Sequence, residues 1–243
     1  MSRSAGRTAS PSRPSDTPEQ PPSVNARVYQ ALKQLILVGR VMPGVQLTHE
    51  GVAAELGVSR TPVRDALERL HQEGFVEHRR NRGYFVANLG VDEVRELFGL
   101  RTALELFALE EAWRRRTLLP LDDLRAINER YRDAITEGAS KWRMLVDQEF
   151  HHALALRSGN QLLVKALDSL FERIVLKRHV GGYVVEQGLQ AYQEQEELLR
   201  LLAAGRYDRA REALRDHIAS GRDRLLGQLE DGLDAGRHGA GRL

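Results

Sequence analysis

Two arginines four residues apart have the chemistry needed to read DNA. Arg60 and Arg64 lie in the segment SRTPVR, residues 59–64, and this spacing places both on one face of a helix. An arginine can donate two parallel hydrogen bonds to O6 and N7 of guanine. Ser59 and Thr61, at the predicted start of the helix, suit phosphate contacts. The alternative is an amphipathic helix whose basic face is only solvated.

Three further arginines, Arg79, Arg80 and Arg82, are clustered in the segment RRNRG. Short β-prone runs stand on either side of this segment, and its Asn and Gly favour a turn, so a β-hairpin with a basic tip is predicted. A basic hairpin next to a recognition helix can enter the minor groove. The alternative is a charged turn that serves only solubility.

A second candidate site combines one carboxylate with two imidazoles. Asp147 and His151 are four residues apart on a predicted helix, a spacing that can chelate one metal ion. His217, far along the chain, could close the site from another helix. The alternative is a surface pair on one helix and a hydrogen-bonded, half-buried histidine on another.

A further charged pair, Arg101 and Glu105, shares a helix face with apolar residues. Charges on such a face need partners. They would form either a buried ion pair that joins helices or a clamp in which Arg101 holds the carboxylate of an effector. Asn160 is predicted to cap a helix, and the alternative is a position facing the effector pocket.

The elements that carry the basic residues form a compact N-terminal unit. Apolar residues recur at three- and four-residue spacing after Val24, Thr48 and Ser59, which predicts three helices. Gly57 can take the left-handed conformation that ends the second helix. Three helices followed by a hairpin predict a winged helix-turn-helix over residues 24–88. Residues 1–23 are rich in Ser, Pro, Arg and Thr and are predicted to be a disordered tail.

The rest of the chain is predicted to be helical. Glycines and prolines divide it into six helices, so the fold class is mainly α: a winged helix-turn-helix followed by an all-α bundle over residues 91–231, with a flexible tail over 232–243. The six helices are predicted near 91–116, 120–137, 140–157, 160–178, 184–204 and 206–230.

Composition narrows the class of protein. Residues 27–87 contain nine Lys/Arg and six Asp/Glu, a net charge of +3, whereas residues 88–243 have a net charge of −2. A basic head on an acidic body suits nucleic-acid binding. The chain has no cysteine, which excludes disulfides and thiolate metal sites. No run approaches the roughly 18 apolar residues of a membrane span, and a cytoplasmic protein without a membrane partner is predicted.

The N-terminal unit resembles the DNA-binding domain of the GntR family. The resemblance implies that Arg60 and Arg64 read bases, and that Thr61 and the wing around Arg80 hold the DNA. Some relatives place a DNA-contacting arginine where this chain has Glu50, so that contact is not transferred. The matching segment, residues 47–86, is LTHEGVAAELGVSRTPVRDALERLHQEGFVEHRRNRGYFV.

The C-terminal unit is similar to the all-helical FCD effector domain of the FadR-type branch of that family, and its six helices resemble the VanR-like subgroup. In metal-binding members, one Asp and three His hold a divalent cation, often zinc or nickel. Here Asp147, His151 and His217 are present and Gln195 replaces the remaining histidine. The matching segments are DQEFHHAL (147–154), SGN (158–160) and LRDHI (214–218).

The leading hypothesis is a homodimeric, ligand-controlled regulator that binds a double-stranded DNA operator. By resemblance its effector is a small organic acid, held near Arg101, Asn160 and Gln195, and the default sign is repression relieved by the ligand. One alternative is a metal-dependent hydrolytic enzyme, although the sequence contains no Gly-x-Ser-x-Gly or His-Glu-x-x-His motif. The other is an architectural DNA-binding protein with an inert helical dimerisation body.

Overall fold

A computed structural model describes residues 22–88, 90–138, 140–177 and 185–239. The predicted tail over residues 1–23 lies outside these ranges except for its last two residues. Residues 240–243, the end of the predicted C-terminal tail, also lie outside them. Within the described ranges no helix is both long and apolar enough to cross a membrane.

The N-terminal unit is a winged helix-turn-helix, as predicted. Its strands form an antiparallel sheet in the order β1-β3-β2, in which Gln46 pairs with Phe85 and His78 with Tyr84. The first strand was not predicted, because two residues are too short to show an alternating pattern. The elements are α1 (Val24–Leu37), β1 (Gln46–Leu47), α2 (His49–Leu56), α3 (Arg60–Gln72), β2 (Val76–Arg79) and β3 (Gly83–Val86).

Local capping and a left-handed glycine define where α2 begins and ends, directly before α3. The Thr48 side chain accepts a hydrogen bond from the Gly51 amide at the start of α2, and Gly57 ends that helix with a φ of 64°. Ser59 occupies the N-cap position of α3, but its side chain makes no capping hydrogen bond. The predicted cap position is therefore correct, while the expected capping bond is absent.

Over the described residues, the C-terminal unit is an all-α bundle of six helices, as predicted. Its core includes the fully buried Leu109, Leu124, Phe150 and Leu214, contributed by four different helices. Helix α4 packs against α6, α7 and α9 and so lies at the centre of the bundle. The helices are α4 (Val91–Arg115), α5 (Asp122–Thr136), α6 (Ser140–Leu156), α7 (Gln161–Lys177), α8 (Val185–Ala203) and α9 (Tyr207–Gly239).

The last helix is longer than the sequence analysis predicted. It continues to Gly239, beyond the end that was predicted near residue 230. The glycines there weaken a helix by about 1 kcal/mol each, but only proline breaks the backbone hydrogen-bond ladder outright. The segment 232–239 contains no proline.

The DNA-binding unit contacts the bundle through a buried lysine. Lys33 of α1 has a side chain that is only 9 % exposed, and its ammonium lies 2.7 Å from Glu172 of α7 and 3.2 Å from Glu73. It also lies 4.7 Å from the centre of the Phe75 ring. Burial lowers the pKa of Lys33, but its hydrogen bonds to Glu172, Tyr29 and Glu73 outweigh this effect and raise it. The ammonium is therefore charged and joins the two units.

Candidate functional site

The outer face of α3 presents both predicted base-reading arginines to solvent. The side chains of Arg60 and Arg64 are 72 % and 69 % exposed, while the opposite face of the helix buries Val63 and Leu67 completely. Ser59 and Thr61 are exposed as well. The amphipathic helix therefore holds the two guanidinium groups away from the core, free to approach a ligand from outside.

Acidic neighbours accompany both arginines. Arg60 Nη1 lies 3.0 Å from Glu50 Oε1 at the start of α2, and Arg64 Nη2 lies 3.6 Å from Asp65 Oδ1. Exposed ion pairs contribute roughly 0–1 kcal/mol, so a phosphate or base edge can displace either carboxylate. Glu50 thus lies on the same surface as the reading arginines, where its carboxylate opposes phosphate and offers a hydrogen-bond acceptor.

The wing brings two of its three arginines to the tip. Arg80 and Arg82 are exposed, on either side of Asn81, whose φ of 60° closes the turn. Arg79 is held lower down, with its guanidinium 4.3 Å from the centre of the Phe85 ring and 3.2 Å from Glu77. Arg80 and Arg82 are therefore better placed than Arg79 for an external contact.

The bundle contains a buried polar cluster that joins the second set of predicted residues. Arg101 donates to Glu105 across 2.6 Å, and both side chains are only 2 % exposed. The imidazole of His151 is completely buried, with Nδ1 2.7 Å from Glu105 Oε2 and Nε2 2.7 Å from Arg101 Nη2. The ion pair that the sequence analysis offered as one alternative is thus present, and His151 completes it.

His217 approaches the same point from α9. Its Nε2 lies 3.2 Å from Nε2 of His151, and its Nδ1 lies 2.8 Å from Glu194 Oε2. Arg224 contacts Glu194 through two bonds of 3.2 Å. The two imidazoles therefore face each other through Nε2, and each has a carboxylate at Nδ1.

Burial and neighbouring charges shift the pKa values of three groups in this cluster. Burial favours a raised pKa for Glu105, but the charges and hydrogen bonds of His151 and Arg101 outweigh it and lower that pKa to about 2. The pKa of Glu194 is also lowered, because hydrogen bonds from His217 and Arg224 outweigh its burial. Burial lowers the pKa of His217, although its hydrogen bond with Glu194 acts in the opposite direction and raises it. Each Nδ1 faces a carboxylate, so in the neutral form of either imidazole the proton is favoured on Nδ1 and Nε2 keeps a lone pair.

These atoms can hold a divalent cation. One ligand atom each from Asp147, His151 and His217 lies within 4.8 Å of the others. The two Nε2 atoms are 3.2 Å apart, and Nε2 of His151 is 3.7 Å from Asp147 Oδ1. Ligands of a tetrahedral zinc ion with bonds of about 2.0–2.1 Å lie about 3.3–3.4 Å apart. The residues present therefore fit a three-ligand site that leaves at least one position open.

Gln195 lies beside this group. Its side chain is fully buried, and Nε2 donates to Asp147 Oδ1 across 2.8 Å. Among the described residues, its Oε1 atom has no hydrogen-bond partner. A buried acceptor without a donor costs about 1–3 kcal/mol, so this oxygen is suited to receive a hydrogen bond from a ligand or water.

Asn160 has the capping role that the sequence analysis expected. Its Oδ1 accepts from the Leu163 amide at the start of α7, and its own amide donates to Ser158 Oγ, each across 3.1 Å. These contacts hold Asn160 at the start of α7, and neither joins it to Arg101 or His151. Its alternative position in the pocket therefore stays a prediction.

Sequence reasoning missed several partners of the cluster. Glu194 and Arg224 support His217, and the ring of Phe171 stacks on His151 at 5.4 Å and lies 4.6 Å from the Arg101 guanidinium. Glu194 precedes Gln195, but nothing in its spacing indicates a histidine partner 23 residues later. Phe171 belongs to the apolar stripe of α7, which predicts burial and no particular contact.

Two family models match the chain over these two units. The model described as "Bacterial regulatory proteins, gntR family" matches residues 25–86, which include the exposed arginines. The model described as "FCD domain" matches residues 96–220, which include the buried cluster. The two matches together extend over most of the described residues.

Individual proteins give the same result. The "Nta operon transcriptional regulator" of Aminobacter aminovorans is 31 % identical over 184 residues, 76 % of this chain and 86 % of that protein. The "HTH-type transcriptional repressor RspR" of Escherichia coli strain K12 is 28 % identical over 153 residues, 63 % of this chain and 66 % of that one. The solved structure titled "E. coli McbR/YncC" superposes with a TM-score of 0.72 and 25 % identity, over 85 % of this chain and 99 % of that one.

Proposed function

We propose a function from the premise that this chain belongs to the gntR family of bacterial regulatory proteins and carries an FCD domain. It is thus a DNA-binding transcriptional regulator. The proteins to which it is similar are regulators and not enzymes, which agrees with the expectation that it has no catalytic site. Our proposal concerns which residues bind DNA, what the bundle binds, and how the two are connected.

The DNA contact is assigned to α3 and the wing. Arg60 and Arg64 read base edges in the major groove, Ser59 and Thr61 contact phosphates, and the wing arginines reach the neighbouring minor groove. The observation that carries this assignment is the high exposure of two arginine side chains, 72 % and 69 %, on the outer face of a helix whose inner face buries Val63 and Leu67 completely. Arg80 and Arg82 are the stronger wing candidates, and Arg79 is retained as a weaker one.

The bundle is proposed to bind a small organic acid together with a divalent cation, zinc or nickel. Asp147, His151 and His217 would hold the cation, which would supply a positive charge and an open coordination position for the acid. Arg101 would pair with the carboxylate of the acid. Gln195 would accept a hydrogen bond from it, and Asn160 stays a candidate at the edge of the pocket.

A homodimer is proposed as the form that binds DNA, because two heads that read two half-sites multiply affinity and specificity. An apolar stripe on α4 supports it. Leu100 and Phe107 are 53 % and 47 % exposed, and Ala103 between them is exposed as well. The spacing of three and four residues places all three on one face, which faces away from the core of the bundle.

Repression is the proposed sign of regulation, and the printed name of the similar RspR protein supports it. The proposed domains are a winged helix-turn-helix over residues 24–88 and an effector and dimerisation domain over residues 91–231. A DNA target implies that the protein acts in the cytoplasm. Binding of the acid in the bundle would shift the placement of the two heads and so change operator affinity.

The DNA assignment is tested by fluorescence anisotropy with the duplex upstream of the chain's own gene. Replacing Arg60 and Arg64 together by Ala is expected to weaken binding by at least tenfold, since each bidentate pair to guanine contributes about 1–3 kcal/mol. The control is Arg200→Ala, which removes a charge on α8 that is 60 % exposed. Equal affinity of the double variant and the control would refute the assignment.

A further inference from the structure

One lone pair of the buried cluster has two possible partners. Nε2 of His151 is a ligand atom of the three-residue metal group, and it is also the atom that Arg101 Nη2 approaches to 2.7 Å. A guanidinium can only donate hydrogen bonds, so Nε2 of His151 accepts the bond from Arg101. The proton of this histidine is then on Nδ1, which faces Glu105.

A metal ion and Arg101 Nη2 cannot both occupy this position. A zinc or nickel ion would lie about 2.0–2.1 Å from Nε2 along the direction of its lone pair. Arg101 Nη2 lies 2.7 Å from the same nitrogen, and a neutral imidazole offers one acceptor lone pair. The structure therefore shows the guanidinium bound to the acceptor that a cation held by His151 would need.

The surroundings explain why a cation belongs there. The Nε2 atoms of His151 and His217 lie 3.2 Å apart, and the Asp147 carboxylate is 3.7 Å from Nε2 of His151. Such a group of electron-rich atoms needs a positive charge nearby. The Arg101 side chain, 2 % exposed, provides that charge, with its guanidinium also placed over the Phe171 ring.

We propose that Arg101 and a divalent cation compete for Nε2 of His151, and that a bound cation releases the Arg101 donors to a carboxylate ligand. This inference rests on the proposed metal and acid site. Arg101 can keep its 2.6 Å contact to Glu105 through Nε while its Nη groups leave the histidine. The buried Nη groups then lack an acceptor, and an organic acid that also ligates the cation supplies one.

The consequence is that metal and acid bind with positive cooperativity. In the metal-free protein, Arg101 is already bound to His151 and Glu105 and is not available to an acid. In the metal-loaded protein, the Nη groups of Arg101 would be free to donate two hydrogen bonds, and the cation would have an open coordination position. Because binding energies are linked reciprocally, the acid must raise the affinity for the metal by the same factor as the metal raises that for the acid.

The direct test measures zinc affinity by competition with a chromophoric chelator, using the full chain and Arg101→Met. Removing the competing donor is expected to tighten zinc binding by about 10–100-fold, since a hydrogen bond to a charged group contributes roughly 1.5–3 kcal/mol. A purely structural role for Arg101 predicts the opposite, because the loss of a buried partner of Glu105 would loosen the site. Arg101→Lys keeps the charge and is expected to give an intermediate value.

A matched control separates competition from simple charge. Arg224→Met removes another cation from the cluster, one that contacts Glu194 and not a lone pair of either histidine. Its zinc affinity is expected to stay within about threefold of wild type or to fall, because His217 loses support. Equal tightening in Arg224→Met and Arg101→Met would overturn the competition and leave only general electrostatics.

The outcomes distinguish this inference from the proposed metal site itself. If the wild type binds no zinc and Arg101→Met does, competition is supported and a metal-loaded wild type is refuted. If the wild type binds zinc and Arg101→Met binds it equally or more weakly, the inference is overturned while the metal site stands. If neither protein binds zinc, both are overturned.

A second measurement needs no variant and covers the case in which Arg101→Met fails to fold. The wild type is compared by thermal unfolding with and without zinc, each in acetate, benzoate and succinate. At least one acid is expected to raise the unfolding temperature of the zinc-loaded protein and to leave the metal-free protein unchanged. Equal stabilisation of both forms, or none of the loaded form by any of the three acids, would overturn the inference.

Discussion

Arg60 is paired with a carboxylate on the protein surface when no DNA is bound. Its guanidinium lies 3.0 Å from Glu50, so DNA binding exchanges one anionic partner for another. A carboxylate on this face repels phosphates wherever it is not neutralised, and it can accept a hydrogen bond from cytosine N4. Glu50 therefore lowers general affinity while offering a contact that depends on sequence.

The first prediction concerns Glu50→Gln. Removing this charge is expected to raise affinity for an unrelated duplex by about two- to fivefold at low salt, in line with the roughly 0.2–1 kcal/mol of an exposed charge pair. The gain should shrink at higher salt because phosphate contacts are screened. Anisotropy at two salt concentrations measures it, with Glu55→Gln, at an exposed position of the same helix, as the control. A lower affinity would show that Glu50 acts by holding Arg60 in place.

The residues of the buried cluster show what a sequence can and cannot predict. Asp147 and His151 are four apart on one helix, so their proximity follows from the helical period. The contact of His151 with Glu105 joins residues 46 positions apart, and that of His217 with Glu194 joins two further helices. Those contacts depend on how the helices pack. The proposed competition between Arg101 and a cation for His151 could be inferred only from the distances between these side chains.

Helix α7 connects the two units at the scale of secondary structure. Phe171 contacts His151 and Arg101 in the bundle, and the next residue, Glu172, pairs with Lys33 of the DNA-binding unit. A movement at the buried cluster therefore has a direct packing route to α1. Lys33 also pairs with Glu73, which lies at the end of α3. The contact between α1 and α7 is therefore linked to the recognition helix.

The second prediction uses Glu73 to measure this junction. Burial favours a raised pKa for Glu73, but hydrogen bonds from Tyr29, Arg69 and Lys33 lower it below its usual 4.5. The stability that its charge contributes is then fully present above about pH 4.5 and is lost as pH falls through the lower, folded-state pKa. Glu73→Gln is expected to lower the unfolding free energy at pH 7, by about 1 kcal/mol because the carboxylate is partly exposed.

This difference between wild type and Glu73→Gln should shrink as the pH falls below 4.5. Urea unfolding at pH 7, 5 and 4 measures it, with Glu55→Gln as the control for loss of an exposed charge. A destabilisation that is constant over this range would show that the side chain contributes through packing and not through its charge.

Prediction from sequence succeeded best for the longer elements. Except at the end of α9, the helices of both units have boundaries within a few residues of those predicted, because each carries an apolar stripe of several turns. The two-residue strand β1 was not predicted, since its only signal is a pairing partner almost 40 residues away. The extension of α9 to Gly239 escaped because glycine is common at helix ends and its presence favoured a tail.

The apolar stripe on α4 is the proposed surface through which two copies of the chain associate. Phe107→Glu places a charge at the C-terminal end of that stripe and is expected to turn a dimer into a monomer, because a buried unpaired charge costs several kcal/mol. Sedimentation at micromolar concentration measures it. Leu119→Glu, at a residue that is 60 % exposed outside α4, is the control and should leave the mass unchanged. A monomeric wild type, or a dimeric Phe107→Glu, would contradict the proposed interface.

In the proposed homodimer, a pair of heads would bind DNA to an extent that depends on the bundle. A ligand can shift this equilibrium only by its difference in affinity for the two arrangements. Here the difference would arise at Arg101 and His151, pass along α7 to Lys33, and reach α3 through Glu73. Each step is a contact of 3.2 Å or less or a packed ring.

The central claim is that ligand binding in the helical bundle changes DNA affinity. The most direct measurement is the dissociation constant of the full chain for its upstream duplex, determined metal-free, with zinc, and with zinc plus whichever of the three acids stabilises the loaded form. We expect a change of at least about fivefold between the first and the last condition, and we expect His151→Ala to abolish it. The same dissociation constant in all three conditions, with zinc shown to be bound, would contradict it.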